Sequence, residues 1–275
     1  MPRRLTLALA LCLPLGLALP AAAPVLAQDT GLIGMPTADD AKGWQGVGKL
    51  LLGDHGFCTA ALIAPQIVLT AAHCLFDKDT GARTPDGEIT FQAGWRNGRA
   101  EAYRGVRRSV AHPDYAHADD EDVARVAYDV ALLELDQPIL LPQLLPFSTA
   151  RQPGSGDEVS VVSYAHDRSE IPSIEEGCAV LSSYHDAMVL SCDIDFGSSG
   201  APVFLVRDGV ARVVSVISAK AELDGKKVAL AVPLDAPLAV LQAELAAAGE
   251  THKAAAGVRI ISGGDAGAGA KFVSP

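Results

Sequence analysis

Short β-rich runs, each closed by Gly, Pro, Asp or Asn, follow one another along most of this chain and leave few folds open to it. They cover 47–52, 60–63, 67–70, 89–93, 130–135, 158–163, 187–192, 203–206, 210–218 and 228–232. Runs of this length, rich in β-branched residues, suit strands on a pleated, half-buried surface. Helical periodicity is almost absent between them, so the pattern predicts an all-β sandwich or a pair of barrels. About 220 residues lie between Gln28 and Gly249, enough for one large or two small cores. The stretch 142–156 holds three prolines and no strand-like alternation, and is the expected crossing between two halves.

One helix is expected near the end. Asp235 can cap it, Pro237 falls in the first turn, and Leu238, Leu241 and Leu245 recur at helical spacing before Gly249, an apolar stripe expected to dock on the second half. Beyond it, residues 250–275 are Gly- and Ala-rich with little to bury, and read as a flexible tail.

Residues 1–27 read as an export signal: Arg3 and Arg4 open it, an apolar run follows from Leu5 to Leu19, and Val25-Leu26-Ala27 ends it as a small-residue cleavage site. The run is broken by Pro14 and is too short for a membrane span, which needs roughly 20 residues. A secreted or periplasmic chain beginning near Gln28 is expected, with 28–42 as an N-terminal segment or short propeptide. Cys12 leaves with the signal. Four cysteines then remain, Cys58, Cys74, Cys178 and Cys192, in a compartment where disulfides persist. They permit three pairings. Sequence proximity favours Cys58 with Cys74 and Cys178 with Cys192. Zinc is the competing use, because His55, Cys58, His73 and Cys74 cluster in sequence, but the close ligand spacing it wants is missing. No metal and no cofactor are expected.

The formal charge is -11, and loss of a signal holding two Arg and no acidic residue makes it -13. Such acidity disfavours nucleic acid and anionic membranes as partners.

Three segments carry candidate chemistry. The first is Cys58-Thr59-Ala60-Ala61-Leu62-Ile63 followed by Val68-Leu69-Thr70-Ala71-Ala72-His73-Cys74. A histidine placed after a strand and two alanines, beside a cysteine able to bridge back, is rigidly held with its ring accessible. The second is Tyr128-Asp129-Val130-Ala131-Leu132-Leu133, an aspartate opening an apolar strand, where a carboxylate can accept an imidazole N–H. Asp136, Asp122 and Asp120 are the fallback positions. The third is Asp195-Phe196-Gly197-Ser198-Ser199-Gly200-Ala201-Pro202, a glycine-flanked turn able to expose a hydroxyl and aim backbone N–H groups at one point.

Together these segments, in the order His, Asp, Ser and with His112-Pro113-Asp114-Tyr115 ahead of the aspartate, resemble the chymotrypsin-like (trypsin-like) serine peptidases. The Gly-Ser-Ser-Gly form with Cys192-Asp193 before it is similar to the bacterial type related to glutamyl endopeptidases. The resemblance implies two six-stranded antiparallel β-barrels, 43–148 and 149–249 with the C-terminal helix, and a catalytic triad of His73, Asp129 and Ser199 between them. The family pattern selects Ser199 over Ser198, and makes the Gly197 and Ser199 N–H groups the oxyanion hole. It implies a protein or peptide substrate, no cofactor and a monomer. Ser218 resembles the family's backbone-positioning serine, and Asp193 and Lys220 fall near the expected substrate pocket without agreeing on one side-chain preference. Two further readings stand beside it. One is a non-catalytic binding protein on the same fold, suggested by Ala201, Ser198 and Lys220. The other is an α/β-type esterase, which expects histidine last in the chain whereas here it comes first.

Overall fold

The computed structural model describes residues 31–117, 123–184 and 186–255. The signal at 1–27, the fallback residues Asp120 and Asp122, and most of the tail lie outside them. The first barrel is formed by β2 (Val47–Leu52), β3 (Phe57–Ala64), β4 (Ile67–Thr70), β5 (Ile89–Ala93), β6 (Ala102–Ala111) and β7 (Ala131–Leu135), closed in the order β2-β3-β4-β7-β6-β5. The second is formed by β8 (Glu158–Ser163), β9 (Ser173–Tyr184), β10 (Ala187–Leu190), β11 (Pro202–Arg207), β12 (Val210–Leu223) and β13 (Lys226–Pro233). Its order is β9-β10-β13-β12-β11-β8, and the β8–β9 pairing closes it. Every neighbouring pair is antiparallel, as the two-barrel expectation requires.

Alternation explains the barrel interiors. Leu50, Leu62, Phe91 and Leu133 share one face of the first and are fully buried, while Leu69 and Leu132, on the opposite face, are also fully buried. Val159, Val161, Val203, Val214 and Ile217 fill the second. Burying a side chain of this size removes roughly 2 kcal/mol worth of apolar contact with water, and inward residues on every strand repeat it. Between the barrels an aromatic cluster joins them: the Phe204 ring centroid lies 4.7 Å from Phe147 and 4.9 Å from Trp44.

Three strands escape the sequence pattern. β6 carries Arg104, Arg107 and Arg108 and shifts register between Val106 and Arg108, so its arginines fall on both faces and no simple alternation marks the strand. Two of those arginines reach the buried Glu134 of β7: Arg107 Nη1 at 2.9 Å, and Arg108 in direct contact. β9 is interrupted by Glu175, Glu176 and Gly177, the last with φ of 74°. β1 (Leu32–Gly34) lies in the expected N-terminal segment and pairs with β9, Leu32 opposite Glu175.

The C-terminal helix, α1 (Pro237–Ala255), corrects several expectations. It runs on through Gly249, past the expected boundary at 249 and into the 250–275 stretch read as tail. Gly249 does not end the helix; it admits a neighbour, because a Cβ there would lie 2.4 Å from Arg108 Nη1. Asp235 accepts the Gln152 backbone N–H at 3.4 Å, so its carboxylate ties the helix entry to the crossing segment. Leu241 and Leu245 dock the helix, at 0% and 6% exposure, but against β6 and β7 of the first barrel and not on the second half, where its apolar stripe is expected from the sequence. Among the described residues no helix is long and apolar enough to cross a membrane.

Candidate active site

The disulfides take the pairing that proximity favoured, Cys58–Cys74 and Cys178–Cys192. The first ties β3 to the short 3-10 turn Ala72–Leu75 that carries His73. Ala71 and Ala72 are fully buried, which seats the turn against the barrel while the His73 side chain keeps 29% exposure. Asp129 sits where the 3-10 turn Val123–Tyr128 meets β7, with its side chain 6% exposed. Its carboxylate receives three hydrogen bonds. The His73 backbone N–H donates to Oδ1 at 2.8 Å, His73 Nδ1 lies 2.7 Å from Oδ2, and the Ser218 hydroxyl donates to Oδ2 at 2.5 Å. An ionised carboxylate only accepts, so Nδ1 carries the ring proton and Nε2 is left with its lone pair.

Burial disfavours both charges. For Asp129 it is outweighed by the charge and hydrogen bonds of His73 and by Ser218, so its carboxyl is held below the usual aspartate range. For His73, burial is overcome by the Asp129 charge and hydrogen bond, which raise the imidazole above its ordinary value of 6.5.

Ser199 projects from the turn that Gly197 and Gly200 make possible, with φ of 97° and 77°. Its carbonyl accepts the Thr59 N–H at 2.8 Å, and the Gly200 N–H donates to Ile217 O at 2.8 Å. Gly200 is wedged into the first barrel, where a Cβ would stand 2.1 Å from Thr70 Oγ1 and 3.1 Å from the Ala71 nitrogen. The serine turn therefore rests on the strand end that leads to His73. Ser198 is fully buried, its hydroxyl 3.4 Å from both Ser163 Oγ and Tyr164 O, so of the two adjacent serines only Ser199 has an accessible side chain. Among the described residues no hydrogen bond joins Ser199 Oγ to His73 Nε2, which lies 3.7 Å from Cys74 Sγ. Neither the Gly197 nor the Ser199 N–H has a hydrogen-bond acceptor among the described residues, which leaves both donors available.

Asp193 and Lys220 line one cleft of about 430 Å³, together with Arg168, Asp195 and Lys227. Lys220 Nζ crosses to Asp195 Oδ1 at 3.0 Å and stands 4.0 Å above the Phe196 ring. The Asp193 N–H donates to Glu175 Oε2 at 2.9 Å, and burial pushes that glutamate up to about 7. Ser218 is not brought to the cleft by its side chain, which is committed to Asp129. It falls instead where the β12–β13 register shifts between Ile217 and Ala219. Arg168 and Glu175 were not legible as site residues, since neither sits in a local motif. Asp136, a fallback for Asp129, is exposed beside Gly105 and far from this arrangement in the barrel. The zinc alternative meets a chemical obstacle: Cys58 and Cys74 approach His73, and Cys178 and Cys192 approach Glu175, but all four sulfurs are spent in disulfides.

A family model described as a trypsin-like peptidase domain matches residues 58–216. A suppressor of tumorigenicity 14 protein homolog of Bos taurus is 30% identical over 124 residues, 41% of this chain and 14% of its own length. The glutamyl endopeptidase of Bacillus licheniformis is 27% identical over 150 residues, 54% of this chain and 45% of its own. The chain thus spans less than half the length of these curated relatives. A solved structure of a Glu endopeptidase in complex with MPD superposes with a TM-score of 0.65 at 16% identity, covering 81% of this chain and 100% of that one. At that identity the likeness speaks to the fold.

Proposed function

Because the chain belongs to the trypsin-like peptidase family, we propose that it is an exported serine endopeptidase that cuts protein or peptide substrates through an acyl-enzyme. The observation that carries this reading is the doubly hydrogen-bonded Asp129–His73 pair beside a turn that exposes Ser199 and leaves two N–H groups free. In the reaction, His73 Nε2 takes the Ser199 proton as the hydroxyl oxygen attacks the peptide carbonyl. The resulting oxyanion receives the Gly197 and Ser199 N–H groups. His73 then returns the proton to the departing amine, and water, activated the same way, releases the acyl group. Ser218 holds Asp129 through its hydroxyl, and its backbone lies at the substrate-binding edge of β12. The disulfides support export to the cell exterior or periplasm.

A non-catalytic binding protein is the second reading, favoured by the Lys220–Asp195 tie across the cleft. Incubation of the mature chain with a defined peptide mixture separates the two. Cleavage that disappears in Ser199→Ala supports the peptidase, and intact peptides with both proteins support the binder.

The same assay carries a pH signature. His73 works as a base only when neutral, and its raised pKa means that kcat/KM climbs with pH through a midpoint above 6.5. In stability the signs are opposite for the two partners. The His73 contribution is complete below 6.5 and fades as pH rises through its folded value. The Asp129 contribution is complete above 3.8 and fades as pH falls through its folded value. An acid limb centred below 6.5 would contradict this electrostatic picture.

A further inference from the structure

Lys49 on β2 is buried to 7% exposure, and among the described residues it makes neither an ion pair nor a hydrogen bond. Its ammonium instead stands 4.4 Å from the Phe57 ring centroid and 5.0 Å from that of Trp95. Burial lowers its pKa, with Glu170 opposing. The negative faces of the two rings take over part of the ammonium's solvation, with the Glu170 charge also acting on it.

Phe57, so held, reaches the turn of Ser199. A Cβ on Gly197 would lie 2.8 Å from Phe57 Cε2 and 3.0 Å from Ala165 Cα, so ring and backbone close on this glycine from two sides. The peptide group that bears the Gly197 N–H is fixed at its other end, where Phe196 O accepts the His166 N–H at 2.8 Å. The next carbonyl, Gly197 O, accepts the Thr59 hydroxyl at 2.8 Å. The His166 ring packs 5.2 Å from Phe57, and Tyr164, whose N–H donates to Thr59 Oγ1, sends its hydroxyl to Trp95 O at 2.7 Å. Two of the contacts that hold the Gly197 peptide, through His166 and through Thr59, are thus tied back to the Lys49–Phe57–Trp95 stack.

On the peptidase reading above, we propose that Lys49 and Phe57 are positioning residues for the oxyanion hole: the cation pins the ring, and the ring edge sets the direction of the Gly197 N–H. Neither touches the reacting atoms. A donor aimed at developing charge matters in the transition state more than in the ground state, so its misdirection lowers kcat and leaves KM nearly alone.

The test uses the full-length exported protein and its Lys49→Met and Phe57→Leu variants, with active sites counted by fluorophosphonate labelling. Removing an oxyanion donor outright costs on the order of a hundredfold in kcat, so tilting one should cost roughly tenfold. A peptide aldehyde, which mimics the tetrahedral state, should lose affinity by the same factor while KM for the parent peptide stays within about twofold. Phe57→Tyr and Lys49→Arg keep ring and cation and should recover most of the rate, which guards against a folding defect in the other pair. Unchanged kcat in Lys49→Met and Phe57→Leu overturns the assignment, as does a parallel loss of labelled sites with normal kcat per site, which marks a purely structural role. A wild-type protein that takes no label removes the peptidase reading, and this inference with it.

Discussion

Replacing Asp129 by Asn should lower kcat by about 10⁴-fold with KM little changed. The side chain is nearly isosteric, so the His73 backbone N–H keeps its acceptor and the turn keeps its place. What changes is the proton on the ring. The amide NH₂ can face Nδ1 only as a donor, which moves the imidazole proton to Nε2 and leaves nothing there to receive the Ser199 proton. The imidazolium that forms in the reaction also loses the carboxylate 2.7 Å away that stabilises it. Steady-state kinetics with titrated active sites checks this. A loss of only a few fold would mean that Asp129 holds the loop rather than the tautomer.

The second large effect is structural. Gly200→Ala should cost about 4 kcal/mol or more and drop Tm by roughly 10 °C or more, because it adds overpacking to backbone strain. Its Cβ would stand 2.1 Å from Thr70 Oγ1 and 2.3 Å from Thr59 O, and the second of these is main chain that cannot swing aside. Gly209→Ala is the control. It has φ of 73°, close to the 77° of Gly200, but nothing within 4 Å of its Cβ site, so it should cost only about 1 kcal/mol. Thermal unfolding of the two variants separates clash from strain. Equal shifts in Tm would show that the barrels yield at Gly200, contrary to the packing described.

These two residues also show what the sequence makes legible. Strands β2, β4 and β5 can be read to the residue, because apolar runs end at clear turn signals. The strands β6 and β9 cannot, since arginines around a register shift in one and Glu175-Glu176-Gly177 in the other break the pattern that burial would write. The motifs around His73, Asp129 and Ser199 are local, and a local reading finds them. The side chains that hold those motifs are not local. Ser218 reaches Asp129 across 89 positions and Thr59 reaches Gly197 across 138, so their partners emerge only when the two barrels are folded against each other. Gly249 is the opposite error: the letter that usually stops a helix is there because Arg108 of a distant strand needs the space.

Whether Ser199 is an activated nucleophile is decided most directly by exposing the purified mature protein, beside its Ser199→Ala variant, to a fluorophosphonate and locating the adduct by mass spectrometry. The account predicts one adduct, on Ser199, absent in the variant and formed faster as pH rises through the His73 pKa. A folded protein with both disulfides intact that takes no adduct, or carries it on another serine, would contradict it.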